Sequence, residues 1–211
     1  MKPIFLTSSV HAVASHIGKV INPTATGDKL LFITTATEVG LGDKSWMEDD
    51  KQALAKTGFL ITDFTLTNKS EDKVTKALST VDAVYVEGGN TYYLLYQMQQ
   101  SGFTKVIHQF VPEKITYIGT SAGSIVACPD IEVLALGDSP ADAPELKDFQ
   151  GLGFTDLSLL PHWGSAHFQR DFEKVLRVMY HDHPNKYVLL NDYQYLKITE
   201  EKTEFIDVRR D

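Results

Sequence analysis

The stretch Tyr117-Ile118-Gly119-Thr120-Ser121-Ala122-Gly123-Ser124 decides the fold class of this 211-residue chain. Its first residues read as a short apolar strand, and the small residues after them favour a tight turn that opens a helix. Gly-x-Ser-x-Gly at a strand-to-helix junction is typical of a nucleophile elbow, in which the serine projects above the end of a sheet. The pattern therefore predicts Ser121 as a nucleophile, with a helix N-cap as its alternative role.

Strand and helix patterns alternate along the chain before this elbow. Apolar runs at 4–6, 29–34, 59–66, 83–86 and 115–118 read as strands, and helical spacing occurs over 10–21, 46–55, 74–78 and 92–98. This order predicts one α/β domain over residues 1–211, with a mainly parallel sheet between two layers of helices.

The regular alternation stops after Pro129. Residues 130–150 are acidic and lack a clear period, which predicts a long loop. Strands are expected again at 157–160 and 187–190, with a helix over about 166–181 between them. Residues 195–208 resemble a closing hairpin.

The composition excludes several classes of protein. The 20 basic and 28 acidic residues give a net charge of −8 without a basic run, which argues against nucleic-acid binding. No apolar run reaches the ~20 residues that span a bilayer, and the N-terminus turns polar too soon for a signal peptide. A soluble cytoplasmic protein is expected. Cys128 is the only cysteine, so neither an intrachain disulfide nor a cysteine-based zinc site can form, and we expect it to be a buried apolar residue.

A candidate base and a candidate acid for Ser121 follow two later strands. His162 follows strand 157–160, and Asp192 follows strand 187–190. Because the carboxyl ends of parallel strands line one crevice, these residues can converge with Ser121 as a catalytic triad. The alternatives are a loop histidine for His162 and a turn former for Asp192.

The segment Glu87-Gly88-Gly89-Asn90-Thr91 also lies between a strand and a helix. Paired glycines allow a sharp turn and a close approach to a ligand, so the amides of Gly89 and Ala122 are candidate oxyanion donors. The alternatives are a capped turn and a phosphate-binding loop. The absence of Gly-x-Gly-x-x-Gly or Gly-Lys-Ser/Thr argues against a nucleotide site.

Together these motifs resemble the aspartyl dipeptidases of the peptidase E type and the related cyanophycinases. The resemblance rests on residues 88–91, on 117–123 with Ala127-Cys128-Pro129, and on Gly151-Leu152-Gly153-Phe154 ahead of Pro161-His162. It covers about residues 1–200 and implies a three-layer α/β/α fold similar to class I glutamine amidotransferases. It further implies a serine peptidase with nucleophile Ser121, base His162 and oxyanion amides at Gly89 and Ala122. No metal or cofactor is implied.

The resemblance departs from the family pattern at the acid and in the substrate site. The third triad member of the family is usually a glutamate, and Asp192 occupies the corresponding place. Asp138 is the nearest match to a further acidic residue of the dipeptidases and competes with Asp192 for the acid role. Where those enzymes carry an arginine for the substrate aspartate, this chain has His167, with Arg170 about one helical turn later. Asn90 is a further candidate for substrate contact.

We therefore expect a cytoplasmic serine peptidase acting on dipeptides or short peptides, with weakened preference for an N-terminal aspartate. The alternatives are a cyanophycinase-like hydrolase of β-aspartyl-arginine peptides and a catalytically silent peptide-binding protein on the same fold. The segment His181-Asp182-His183 contains residue types that bind metals, but its position predicts that it caps a helix C-terminus. The oligomeric state is not predicted.

Overall fold

The computed structural model describes residues 1–23, 27–40, 42–182 and 186–210. Nine strands lie within these ranges: β1 (Ile4–Thr7), β2 (Lys29–Ile33), β3 (Leu60–Phe64), β4 (Ala83–Val86), β5 (Thr116–Thr120), β6 (Leu157–Leu160), β7 (Lys186–Leu189), β8 (Gln194–Ile198) and β9 (Thr203–Asp207). The α-helices of the same ranges are α1 (Val10–Ile21), α2 (Ser45–Ala55), α3 (Glu71–Leu78), α4 (Thr91–Gln100), α5 (Phe103–Val106), α6 (Ala122–Ile125) and α7 (Gln169–Asp182).

A central sheet carries the strand order β3-β2-β4-β5-β1-β8-β9. The first five strands in this order are parallel, and the hairpin β8–β9 continues the sheet in antiparallel fashion. The predicted mainly parallel α/β sheet and the closing hairpin are therefore confirmed.

Alternating side chains of the strands form one apolar cluster on each face of this sheet. In β1, Ile4 and Leu6 belong to the cluster beneath α3, α4 and α5, whereas Phe5 belongs to the cluster beneath α1 and α2. This alternation follows from the two-residue period of a strand, and it gives the expected three layers.

The strands β6 and β7 form a separate two-stranded parallel sheet. The sequence analysis placed them in one mainly parallel sheet with the other strands, and that placement is wrong, although the residues after them reach the same cavity as Ser121. The reason lies in β1, whose two edges are filled by β5 on one side and by β8 on the other. The small sheet therefore packs beside the central sheet through side chains such as Leu159 and Leu160, which are buried in the larger apolar cluster.

The segment 130–150 contains more local structure than the expected loop. It holds two 3₁₀ turns, Leu134–Gly137 and Pro140–Asp142, and a bridge between Asp130 and Gln150 closes it. The elbow helix α6 is a single turn. Cys128 is fully buried as expected, and burial raises the pKa of its thiol to about 12.

Candidate active site

Ser121 lies on a sharp turn between β5 and α6. Its backbone has φ 48° and ψ −115°, a combination rarely adopted by a residue with a side chain. A Cβ at Gly119 would lie 2.5 Å from the carbonyl oxygen of Gly123, and a Cβ at Gly123 would lie 2.0 Å from that of Val86. Both outer glycines of the motif are therefore required by close backbone packing. The Ser121 side chain makes no capping hydrogen bond, so the helix-cap role does not describe this serine.

His162 and Asp192 come together at the ends of β6 and β7. His162 Nδ1 lies 2.8 Å from Asp192 Oδ1. This hydrogen bond, with a second one from Ser8, holds the pKa of Asp192 below its usual value. The His162 ring also stacks on Phe168, with centroids 4.6 Å apart and planes 12° from parallel. Because Nδ1 faces the carboxylate, Nε2 is the nitrogen left for a nucleophile.

Ser8 links this histidine–aspartate pair to the central sheet. It is fully buried directly after β1, and its hydroxyl donates to Asp192 Oδ1 at 2.8 Å. Ser8 Oγ also accepts the backbone N–H of His162 at 2.7 Å, and His162 has a φ of 59°. Sequence analysis missed Ser8, although its place at the carboxyl end of a parallel strand could have suggested it.

The glycine pair after β4 brings a second backbone segment to the site. Gly89 has a φ of 131°, and a Cβ there would lie 2.3 Å from the carbonyl oxygen of Ala36, so only glycine fits. Gly88 N–H donates to Glu87 Oε1 at 2.7 Å. Within the described part of the chain, the amides of Gly89 and Ala122 donate no hydrogen bond, which leaves both available to an oxyanion.

Ser121, His162 and Asp192 line one cavity of about 600 Å³, together with Gly88 and Gly89. Ser121 Oγ forms no hydrogen bond with His162 in the described structure. Hydrogen bonds of this type commonly tighten only when substrate is bound. The cavity is thus lined by the elbow serine, by a histidine oriented by a carboxylate and by the glycine pair, and the free amide of Ala122 directly follows Ser121 in the chain.

Six carboxyl groups also line the cavity: Asp43, Asp50, Glu87, Asp138, Asp171 and Asp192. No lysine or arginine of the described ranges lines it. Burial raises the pKa of Glu87 and of Asp138, and Asp50 and Asp192 are hydrogen-bonded to histidines, so these groups carry less negative charge than their number suggests.

The remaining predicted site residues occupy different positions. Asp138 lines the cavity, and its Oδ2 accepts the N–H of Thr91 at 2.8 Å at the start of α4; burial is the main cause of its raised pKa. The Asn90 side chain caps α4 by accepting the N–H of Tyr93 at 2.9 Å and also donates to the carbonyl of Ser139. Asp192 rather than Asp138 is therefore the partner of His162.

His167 and Arg170 are separated by the cavity boundary. His167 is exposed and lines the cavity, edge-on to Phe168. Arg170 is exposed and is not among the residues that line it. The structure therefore brings a histidine, and not an arginine, to the predicted substrate-reading position.

The described residues contain neither a metal-binding cluster nor a membrane-spanning helix. No group of three or more His, Cys, Asp or Glu side chains there is arranged to hold a metal ion. His183 of the segment His181-Asp182-His183 lies outside the described residues. None of the helices in the described ranges combines the length and apolar character that crossing a bilayer requires.

Known proteins with a similar sequence or fold are peptidases. The model of Peptidase family S51 matches residues 4–206. An uncharacterized peptidase of Listeria innocua is 31% identical over 176 residues, which is 83% of this chain and 83% of that protein. Peptidase E of a Nostoc strain is 36% identical over 89 residues, or 42% of this chain and 35% of its own length. A crystal structure of a candidate peptidase E from Listeria monocytogenes EGD-e matches with a TM-score of 0.88 at 27% identity and covers 98% of both chains.

Proposed function

The chain belongs to Peptidase family S51, and on that basis we propose that it is a serine peptidase that cleaves dipeptides or short peptides through an acyl-enzyme on Ser121. The observation that carries the proposal is the 2.8 Å hydrogen bond between His162 Nδ1 and Asp192 Oδ1, at a cavity that Ser121 also lines. A base oriented by a carboxylate beside a strained, uncapped serine is the arrangement that nucleophilic acyl transfer requires.

In the proposed reaction, Ser121 Oγ attacks the scissile carbonyl carbon while His162 Nε2 takes the hydroxyl proton. The carbonyl oxygen becomes an oxyanion, which accepts hydrogen bonds from the amides of Gly89 and Ala122. The tetrahedral intermediate collapses, the carbon–nitrogen bond breaks, and His162 gives its proton to the leaving amine. Water then attacks the ester with His162 again as base, and Ser121 recovers its proton.

The proposed substrate has a free N-terminus. Asp138 lines the cavity and can receive an α-ammonium group, because its carboxylate is held at the start of α4 by the Thr91 amide. No described arginine lines the cavity to pair with the side chain of a substrate aspartate. We therefore propose a weak preference for N-terminal aspartate, in which His167 binds the aspartyl carboxylate. Asn90 acts on the substrate indirectly in this proposal, since it fixes the loop that carries Asp138.

A second candidate substrate is a β-aspartyl-arginine peptide. The acidic lining of the cavity favours it, because exposed carboxylates such as Asp43 and the partly exposed Asp171 can receive a guanidinium group.

We propose that the protein is located in the cytoplasm. This follows the expectation from the sequence, and the single free thiol suits a reducing compartment.

A dipeptide library profiled against wild type and Ser121→Ala tests this function. The proposal expects release of amino acids from at least one substrate class, and no release by Ser121→Ala at equal protein concentration. Comparison of Asp-Leu, Ala-Leu, Lys-Leu and β-Asp-Arg ranks the substrate classes. Undiminished hydrolysis by Ser121→Ala would refute the proposed mechanism.

A further inference from the structure

A second histidine–aspartate pair faces the same cavity. His11 lies in the first turn of α1, and its Nδ1 lies 2.6 Å from Oδ1 of Asp50 on α2. The Asp50 side chain is only 4% exposed, whereas the His11 side chain is 43% exposed and lines the cavity. Burying a carboxylate is costly unless it has partners, and Asp50 also accepts the hydroxyl of Tyr85 at 2.8 Å. The aspartate is thus a fixed anchor that orients the imidazole.

The second nitrogen of His11 has no well-aligned partner. Ser9 Oγ lies 3.2 Å from Nδ1 and 3.3 Å from Nε2. The two N–H directions diverge from the ring, so an oxygen at nearly equal distance from both nitrogens lies along neither direction. Nε2 can therefore donate to a ligand in the cavity while Nδ1 stays on Asp50.

The surrounding charges favour the cationic form of this histidine. The hydrogen bond to Asp50 is the main reason that the pKa of His11 is raised, and the charges of Asp50, Asp49 and Asp192 act in the same direction against partial burial. The imidazolium therefore persists to higher pH than in a free histidine and is lost as pH rises through the raised pKa. No described lysine or arginine lines the cavity, so a protonated His11 would be a cation there whose counter-ion, Asp50, is buried.

His11 and Asp138 approach the site from opposite faces of the central sheet. The helices α1 and α2, which carry His11 and Asp50, pack on one apolar cluster through Val10 and Leu54. The segment before Asp138 packs on the other cluster through Leu134. Ser121 follows β5, an interior strand, at the carboxyl end of the parallel strands between these two faces. A zwitterionic dipeptide placed across Ser121 would meet a carboxylate at one end and an imidazolium at the other.

We propose that His11, oriented by Asp50, binds the C-terminal carboxylate of the leaving residue. This inference rests on the proposed peptidase function and gives the site a reason to prefer dipeptides over longer chains. The exposed Trp46, on the same helix as Asp50, also lines the cavity and can pack against the side chain of that residue.

The test compares kcat/KM for Ala-Leu and for Ala-Leu amide within each enzyme preparation. The ratio of the two values is independent of the folded fraction, so partial misfolding of a variant does not affect it. Wild type should prefer the free acid, and His11→Gln should lower that preference roughly 10- to 100-fold, as expected for loss of a charge-assisted hydrogen bond. His16→Gln is the matched control, because His16 lies on the same helix and bonds Tyr195 at 2.6 Å. Asp50→Asn provides a second variant, with the same direction expected.

Equal cleavage of acid and amide by wild type, or an unchanged ratio in both His11→Gln and Asp50→Asn, would overturn the assignment. Asp-Leu amide has a side-chain carboxylate but no C-terminal carboxylate, so it tests whether His11 binds the side chain instead. If His11→Gln weakens Asp-Leu amide relative to Ala-Leu amide and leaves the C-terminal preference intact, the histidine reads a side chain and the proposal is wrong. If wild type cleaves no member of the dipeptide library, including β-Asp-Arg, the proposed function itself is refuted.

Discussion

Replacement of Ser8 by alanine should lower turnover much more than substrate affinity. The Ser8 hydroxyl is the hydrogen-bond link between β1 and the histidine–aspartate pair, which is carried by the separate sheet β6–β7. Ser8→Ala removes a 2.8 Å donor to Asp192 and the 2.7 Å acceptor of the His162 amide. Both changes loosen the orientation of the base relative to Ser121 and leave the other cavity walls in place.

The expected magnitude follows from these two contacts. A buried amide left without an acceptor costs about 1–3 kcal/mol of unfolding free energy. In a domain of this size, each kcal/mol lowers Tm by about 2–4 °C. A small displacement of a catalytic group costs about 10- to 100-fold in rate, so kcat should fall by that factor with KM within about twofold.

The assay is steady-state hydrolysis of the best dipeptide found for wild type, with Tm measured by calorimetry. Ser158→Ala is the matched control, since this serine is buried on β6 and its hydroxyl has no hydrogen-bond partner among the described residues. The control should keep full turnover. A Ser8→Ala enzyme with unchanged kcat would refute the positioning role, and so would equal losses in Ser8→Ala and Ser158→Ala.

Three other outcomes are expected. Asp192→Asn should fold normally and lose about 10⁴-fold in kcat, as measured by steady-state hydrolysis, whereas a comparable loss confined to Asp138→Asn would transfer the acid role. Glu87→Gln should gain stability relative to wild type as pH rises from 5 to 8 in urea unfolding. Burial and the nearby Asp50 charge raise the pKa of Glu87, so the folded state holds a proton that the unfolded state releases, and a destabilisation that is constant with pH would contradict this. Cys128, with a thiol pKa of about 12, should resist Ellman's reagent at pH 8 until urea unfolds the chain, and rapid reaction of the native protein would contradict its burial.

Much of the fold could be predicted because its signals are local. A strand pattern followed by turn residues marks β1, β2, β4 and the elbow around Ser121. The structure has a strand at each of these places. The partition of strands between two sheets could not be predicted. Whether β6 joins the central sheet depends on which strand fills the free edge of β1, and that is decided by the distant hairpin β8–β9.

The candidate site was predictable only where a residue follows a strand. Ser121, His162 and Asp192 all do, and the strand-end rule identified them. His11 and Asp50 lie within helices, where Asp49 and Asp50 look alike in the sequence. Only the packing of α2 against α1 buries Asp50 beside His11.

Covalent labelling by a fluorophosphonate, followed by peptide mass spectrometry, tests the central claim most directly, because it reports on the nucleophile without knowledge of the substrate. One adduct per chain is expected on the peptide that contains Ser121, with labelling abolished in Ser121→Ala and slowed in His162→Ala. A protein that hydrolyses dipeptides but carries its adduct on another residue, or that Ser121→Ala leaves equally labelled, would contradict the account.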